Sequence, residues 1–222
     1  LNKIDKIANS VLNHEGVKLL NIDPGKATNR TVITFVGPPE TIVDAAYSLI
    51  SKAKELIDMR LHKGEHPRMG AVDVCPFIPI SGVSMKETVD LAHQLGKRVG
   101  SELLIPVYCY ENAAKNNLRI NLANCRSGEY EGLKNKLRDV KWKPDYGPNK
   151  FNETVAKFGA VAIGARDFLV AYNINLNTTS TRRANSVAFD LREAGRVKRE
   201  GGTLTGKIIT DKNGEPCLLY TS

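Results

Sequence analysis

Two of the four histidines of this 222-residue chain lie in one short segment, residues 61–70, which reads LHKGEHPRMG. Within it, His62, Glu65 and His66 spell H-x-x-E-H, the pattern of an inverted zinc-peptidase motif. Such a motif works on a helix, which places both imidazoles on one face beside a carboxylate that acts as a base. The first hypothesis is therefore a metal centre.

The sequence does not support the helix that this metal centre needs. Gly64 would cost about 1 kcal/mol in a helix interior, and Pro67 disfavours the helical conformation for His66. The apolar helical spacing that precedes the segment ends near Ile57. We therefore predict an ordered loop over residues 58–70 and no bound metal.

Two other interpretations of the loop remain. In one, His66 merely satisfies backbone groups within a capped turn. In the other, the density of polar groups, which includes Arg68, marks a loop that presents functional side chains from a rigid scaffold. A histidine next to a carboxylate can be tuned near neutrality as a general acid or base. The residues favour the second interpretation and name no substrate.

The elements that would carry this loop can be read from apolar spacing and turn chemistry. Helices are predicted over residues 2–13, 37–57, 84–99, 127–140 and 179–194. Strands are predicted over residues 17–22, 31–36, 71–80, 105–110 and 168–176. A turn is predicted at 23–25 and a long loop at 142–159.

The intermixed order of strands and helices predicts the α+β class, as a sandwich with a mixed sheet and helices on one face. The loop at 142–159 is the best domain boundary, which gives domains over residues 1–160 and 161–222. One strand and one helix follow the loop, too little for a second domain. We therefore expect the chain to stop partway through a second unit.

The amino-acid composition limits the classes of molecule that the protein is expected to bind. The net charge of +8 suits small anionic substrates, whereas the aromatic fraction of 6% and the scattered Lys and Arg argue against a nucleic-acid partner. No apolar run reaches the 18 residues typical of a membrane span. The four cysteines form no C-x-x-C pair, so a reducing, cytoplasmic compartment is expected.

Four stretches resemble the formiminotransferase family, whose enzymes are glutamate formimidoyltransferases. They are residues 23–40 (DPGKATNRTVITFVGPPE), 56–85 (LIDMRLHKGEHPRMGAVDVCPFIPISGVSM), 126–133 (RSGEYEGL) and 168–176 (FLVAYNINL). The resemblance implies two ferredoxin-like subdomains with the active site in the groove between them. Residues 1–160 would then form the first subdomain, and residues 161–222 the truncated start of the second.

The resemblance also implies a reaction. A formimino group would pass from N-formimino-L-glutamate to tetrahydrofolate, giving 5-formiminotetrahydrofolate and L-glutamate, a late step of histidine degradation. Tetrahydrofolate would be a co-substrate, and no metal, nucleic acid or membrane would take part. The oligomeric state is left open, with a homodimer compatible with the sequence.

Site residues follow from the family's motifs. The active-site histidine of its G-E-H-P-R-M-G motif corresponds to His66, as a general acid or base. The aspartate of its D-x-G turn corresponds to Asp23, which would orient the imidazole or stabilise a cationic amidine. Arg68 would bind a substrate carboxylate or serve a structural pair, and Glu65 is a weaker substrate-binding candidate. The folate-contacting segment corresponds to Gly147, Pro148, Asn149, Lys150, Phe151, Phe158 and Gly159.

The chain also departs from the family pattern. It lacks the opening strand and the P-N-F-S-E-G-like loop, its folate segment is longer than expected, and its last residues, CLLYTS, do not resemble the family. We therefore expect the 222-residue chain itself to be impaired. The alternative hypothesis is a catalytically inactive homologue that binds folate or acts as an interaction module.

Overall fold

The structure, a computed structural model, describes residues 2–26, 28–64, 66–169, 176–191, 196–197, 199–200, 207–210 and 218–219. The chain divides into two compact units, Leu1–Phe168 and Leu169–Ser222. Within the described ranges, no helix is long and apolar enough to cross a membrane.

The first unit contains short and long helices interleaved with strands. Its helices are α1 (Lys3–Asn9), α2 (Pro39–Leu56), α3 (Met85–Glu102), α4 (Leu122–Arg126), α5 (Glu129–Lys136) and α6 (Glu153–Phe158). Its strands are β1 (Lys18–Gly25), β2 (Arg30–Val36), β3 (Val74–Phe77), β4 (Val107–Glu111) and β5 (Val161–Ala165). The second unit contains α7 (Thr181–Leu191) and the antiparallel pair β6 (Arg196–Val197) and β7 (Leu218–Leu219).

Local chemistry sets several of these boundaries. The Ser84 hydroxyl accepts from the backbone N–H of Glu87, whose carboxylate accepts from the Ser84 N–H, so the capping box that starts α3 is formed. The helix predicted over 127–140 is present over the shorter range of α5, and it begins directly after Gly128, whose φ of 82° is left-handed. The turn predicted at 23–25 is instead the end of β1, and the chain reverses between Gly25 and Arg30.

The strands form two separate sheets in the first unit. β1 and β2 make an antiparallel pair, and β3, β5 and β4 make a parallel sheet with β5 in the centre. The α+β prediction is confirmed, with the antiparallel and parallel pairings divided between the two sheets. The loop predicted over 142–159 contains α6, and no strand was predicted at β5. The predicted boundary at residue 160 precedes this central strand, whereas the compact unit extends to Phe168.

The parallel sheet is buried on both faces. Cys109 and Ile163 point into a cluster with α2 and α3, whereas Tyr108 and Ala162 point into a second cluster with Leu133 of α5. The prediction of helices on one face is therefore wrong, because the short helices α5 and α6 cover the other. Buried parallel sheets are usually covered on both faces.

The second unit matches the sequence prediction in one element. The helix predicted over 179–194 is present as α7. The predicted strand at 168–176 falls largely outside the described residues, since 170–175 are not among them.

Candidate active site

The antiparallel β1–β2 pair forms a hairpin with one exposed face. This face lies beside the loop over residues 58–70, called here the histidine loop. In its register Asp23 lies opposite Val32, and Gly25 lies opposite Arg30. Directly opposed residues, and alternate residues of one strand, share a face, so Asp23, Val32 and Arg30 lie on the same face. All three are exposed, while Phe35, on the opposite face, packs against the core.

The turn between the two strands holds the histidine loop. Asn29, whose φ is 48°, donates from Nδ2 to the carbonyl oxygen of Lys63 at 2.7 Å. A Cβ on Gly64 would lie 2.6 Å from the carbonyl oxygen of Thr28, closer than real Cβ contacts allow. Glycine at position 64 therefore permits the loop to approach the turn.

His66 is held by two hydrogen bonds that define its protonation. Its Nε2 is 2.7 Å from Nη1 of Arg30, and its Nδ1 is 2.7 Å from the carbonyl oxygen of Pro67. A guanidinium has no acceptor and a carbonyl has no donor. Nδ1 must therefore carry the proton and donate to Pro67, while the Nε2 lone pair accepts from Arg30. The geometry assigns a neutral imidazole of the Nδ1–H tautomer.

The segment does not form the helix of an inverted zinc-peptidase motif. After a 3₁₀ turn at Met59–Leu61, His62 is extended, with φ −111° and ψ 133°. Nδ1 of His62 lies 3.4 Å from Nδ2 of Asn29, so the two imidazoles bond to hairpin residues. The loop prediction is confirmed. Across the described part of the chain, no group of three or more His, Cys, Asp or Glu is placed to hold a metal ion.

Downstream of His66 the loop is anchored to the parallel sheet. The buried Met69 accepts at its carbonyl from the N–H of Ala160 at 2.9 Å. A Cβ on Gly70 would overlap the carbonyl oxygen of Ala160, and one on Gly159, whose φ is 84°, would overlap that of Met69. Glycine at both positions lets the two backbones meet, so His66 lies between two fixed points.

Arg68 is occupied by carboxylates of the protein. Its guanidinium donates to Glu129 at 2.9 Å and to Glu131 at 2.6 Å, and its side chain is only 16% exposed. The bond from Arg68 lowers the pKa of the Glu131 carboxyl. An open pocket of about 470 Å³ lies beside this cluster, with Lys63 also in its lining. The structural pair left open by the sequence is thus present, and substrate binding by Arg68 stays a prediction.

The structure does not join Asp23 to His66. The carboxylate of Asp23 is exposed and makes no hydrogen bond or ion pair with any described side chain, His66 included. Glu65 lies outside the described residues, so its role stays a prediction. The group that does contact His66 is Arg30, which sequence reasoning missed. The signal that links Arg30 to the site is the face it shares with Asp23, and that face follows from the strand register of the structure.

The predicted folate segment divides into two sets. Asn149, Lys150 and Phe151 line a surface pocket of about 260 Å³, together with Lys134, Leu137 and Arg138. Of the others, Phe158, Gly147 and Gly159 lie close against neighbouring segments, and Pro148 is half-buried. Phe158 is fully buried, and a Cβ on Gly147, whose φ is 82°, would overlap the carbonyl oxygen of Ile105.

The chain is similar in sequence to known proteins. The family model described as the formiminotransferase domain, N-terminal subdomain, matches residues 1–166, and the formiminotransferase domain matches residues 171–209. The chain belongs to the formiminotransferase family. The loop with His66, the hairpin with Arg30 and the pocket with Lys150 all lie within the N-terminal subdomain match.

Curated members of the family are similar over nearly the whole chain. A glutamate formimidoyltransferase of Thermoplasma acidophilum is 46% identical over 217 residues, which cover 95% of this chain and 69% of that protein. Formimidoyltransferase-cyclodeaminases of Rattus norvegicus and Dictyostelium discoideum are 51% and 48% identical, over 95% and 90% of this chain. The chain spans 39% and 37% of the lengths of these two formiminotransferase relatives.

Proposed function

We propose that the protein transfers a formimino group from N-formimino-L-glutamate to tetrahydrofolate, giving 5-formiminotetrahydrofolate and L-glutamate. The observation that carries the proposal is the state of His66. In a formiminotransferase chain, its two hydrogen bonds fit a neutral imidazole whose Nε2 lone pair is directed to an exposed hairpin face. A neutral imidazole can accept a proton and return it near neutral pH.

The reaction needs one proton to be moved across a tetrahedral intermediate. The N5 lone pair of tetrahydrofolate forms a bond to the formimino carbon, and His66 removes the N5 proton at Nε2. The bond from that carbon to the glutamate nitrogen then breaks, and His66 returns the proton to the departing amine. Asp23 would stabilise the cationic amidine on the same hairpin face.

Folate would contact the pocket formed by Asn149, Lys150 and Phe151. Phe151 offers an aromatic ring, and Lys150 offers a positive charge for folate carboxylates. Phe158 and Gly159, which the resemblance also implied, would support this segment through packing.

The same proposal includes the setting of the reaction. We propose a cytoplasmic enzyme that uses no metal, nucleic acid or membrane and that is compatible with assembly as a homodimer. Cys75, Cys109 and Cys125 are free thiols, which suits a reducing compartment.

One assay tests the function. Full-length protein is mixed with tetrahydrofolate and N-formimino-L-glutamate, and 5-formiminotetrahydrofolate is followed over time. Turnover that depends on both substrates is expected. Folate binding without turnover would favour the inactive homologue instead, and would contradict the proposal.

A further inference from the structure

We propose that Arg30 binds a carboxylate of the anionic substrate and thereby releases Nε2 of His66 for proton transfer. This inference rests on the proposed function and adds a substrate-binding residue to it. It assigns Arg30 two alternating partners: the imidazole when the site is empty, and the carboxylate when it is filled.

The first step is that His66 cannot act while Arg30 stays in place. The Nε2 lone pair is occupied by the Nη1–H of Arg30 at 2.7 Å. A proton added to Nε2 there would set two donors and two positive charges against each other. Because Nδ1 already carries a proton and donates to Pro67, Nε2 is the nitrogen that must be freed. Arg30 must therefore move before His66 can take a proton.

The second step is that Arg30 has unused donors. Its contact with His66 is the sole hydrogen bond of its side chain to the described residues, and no described carboxylate pairs with it. Most other arginines of this unit are paired with carboxylates, as Arg68 is with Glu129 and Glu131, and Arg98 with Asp44. A planar guanidinium fork fits a carboxylate through two parallel hydrogen bonds. An incoming carboxylate would therefore compete well against one neutral imidazole nitrogen.

The third step is the position of Asp23. It lies diagonally across the strand pair from Arg30 on the same exposed face, where Cα atoms are about 7–8 Å apart. A negative and a positive side chain at that spacing suit a ligand that carries a cationic amidine next to a carboxylate. The formimino donor has this pair of charges. The glutamate tail of a folate also has carboxylates, and the experiment separates the two sources.

The test compares Arg30→Gln, Arg30→Lys and, as a matched control, Arg98→Gln in the full-length protein. We expect Arg30→Gln to raise KM for N-formimino-L-glutamate and Kd for L-glutamate about ten- to hundredfold, as for the loss of one charge-assisted pair. kcat and KM for tetrahydrofolate should change much less. Arg30→Lys should recover part of the affinity, and Arg98→Gln should resemble wild type.

The outcomes separate the alternatives. A rise in KM for tetrahydrofolate alone would assign the carboxylate to folate. A lower kcat with unchanged KM and unchanged Kd for L-glutamate would leave Arg30 as a purely positioning residue, and would overturn the proposal.

A second readout follows the imidazole directly and needs no turnover. Side-chain ¹⁵N NMR of the ligand-free protein should show His66 with a proton on Nδ1 and an accepting Nε2. Saturating L-glutamate should shift the Nε2 resonance in wild type and leave it unchanged in Arg30→Gln. If L-glutamate does not shift the Nε2 resonance in wild type, the proposed change of Arg30 partner from His66 to a carboxylate is overturned. If L-glutamate releases Nε2 of His66 from Arg30 but the protein transfers no formimino group, the proposed function is contradicted and the role of Arg30 is not.

Discussion

Arg30 and His66, which are 36 positions apart, meet at 2.7 Å between Nη1 and Nε2. The contact fixes the tautomer of His66 and links the histidine loop to the exposed face of the β1–β2 pair. It depends on the turn between β1 and β2, because Asn29 holds the loop through the carbonyl of Lys63. The candidate site is therefore assembled by the hairpin as much as by the loop.

Gly64 should be necessary for this assembly. In Gly64→Ala, the new Cβ would meet the carbonyl oxygen of Thr28 at 2.6 Å, so the loop would have to leave the turn. We expect formimino transfer to fall more than tenfold, with a loss of about 1–3 kcal/mol in the free energy of unfolding measured in urea. Gly132→Ala is the control, because a Cβ added at Gly132 would meet nothing within 4 Å. Equal activity of the two variants would contradict the requirement that the histidine loop contacts the turn between β1 and β2.

Because Lys136 is buried, the free energy of unfolding should depend on pH in the alkaline range. Its Nζ donates to the carbonyl oxygens of Asn124, Cys125 and Ser127, and burial lowers the pKa of Lys136 to about 8. Between about pH 8 and about pH 10.4, the ordinary lysine pKa, the unfolded chain holds a proton that the folded chain has released. Stability contributed by this group therefore rises with pH across that window.

The measurement is urea unfolding of wild type and Lys136→Met at pH 7 and pH 9.5. Wild type should gain stability between the two pH values relative to the variant. At pH 7 the variant should itself be less stable, since the carbonyls that Lys136 satisfies lose their donor. Parallel pH dependence of the two proteins would show that the ammonium persists in the fold.

Two residues of the folate segment should respond differently to substitution. Phe158→Ala removes a fully buried ring and should cost about 3–5 kcal/mol of stability. Lys150→Ala changes an exposed side chain of the 260 Å³ pocket and should raise KM for tetrahydrofolate severalfold at unchanged stability. Urea unfolding and steady-state kinetics separate the two effects. An unchanged KM for tetrahydrofolate in Lys150→Ala would contradict folate binding at this pocket.

Sequence patterns predicted elements where periodicity is strong and failed where it is weak. Helix α3 was predicted from its Ser84–Glu87 capping box and apolar stripe, and the structure contains both. Strand β5 was missed, because VAIGA is a short, wholly buried run with small residues that shows no alternation. Helix α6 was missed because it is six residues long and lies among Pro, Gly and Asn.

Some features of the candidate site could likewise be predicted from the sequence, and others could not. The loop that carries His66 could be predicted from its own residues, since Gly64 and Pro67 exclude a helix, whereas the choice of His66 within that loop came from the family resemblance. Arg30 could not be linked to it without the strand register, because their separation of 36 positions is closed by tertiary packing. Arg68 shows the converse: its type suggests a carboxylate partner, but the structure shows that Glu129 and Glu131 are that partner.

The most direct test of the central claim is the rate of formimino transfer by full-length His66→Ala, compared with wild type and with His14→Ala. His14, whose Nε2 bonds to Ser48 at 2.9 Å away from the loop, controls for the loss of any histidine. We predict that kcat falls about 10²- to 10⁴-fold in His66→Ala, while His14→Ala stays near wild type. A His66→Ala protein that is folded and keeps most of its rate would contradict the assignment of His66 as the proton-transfer residue.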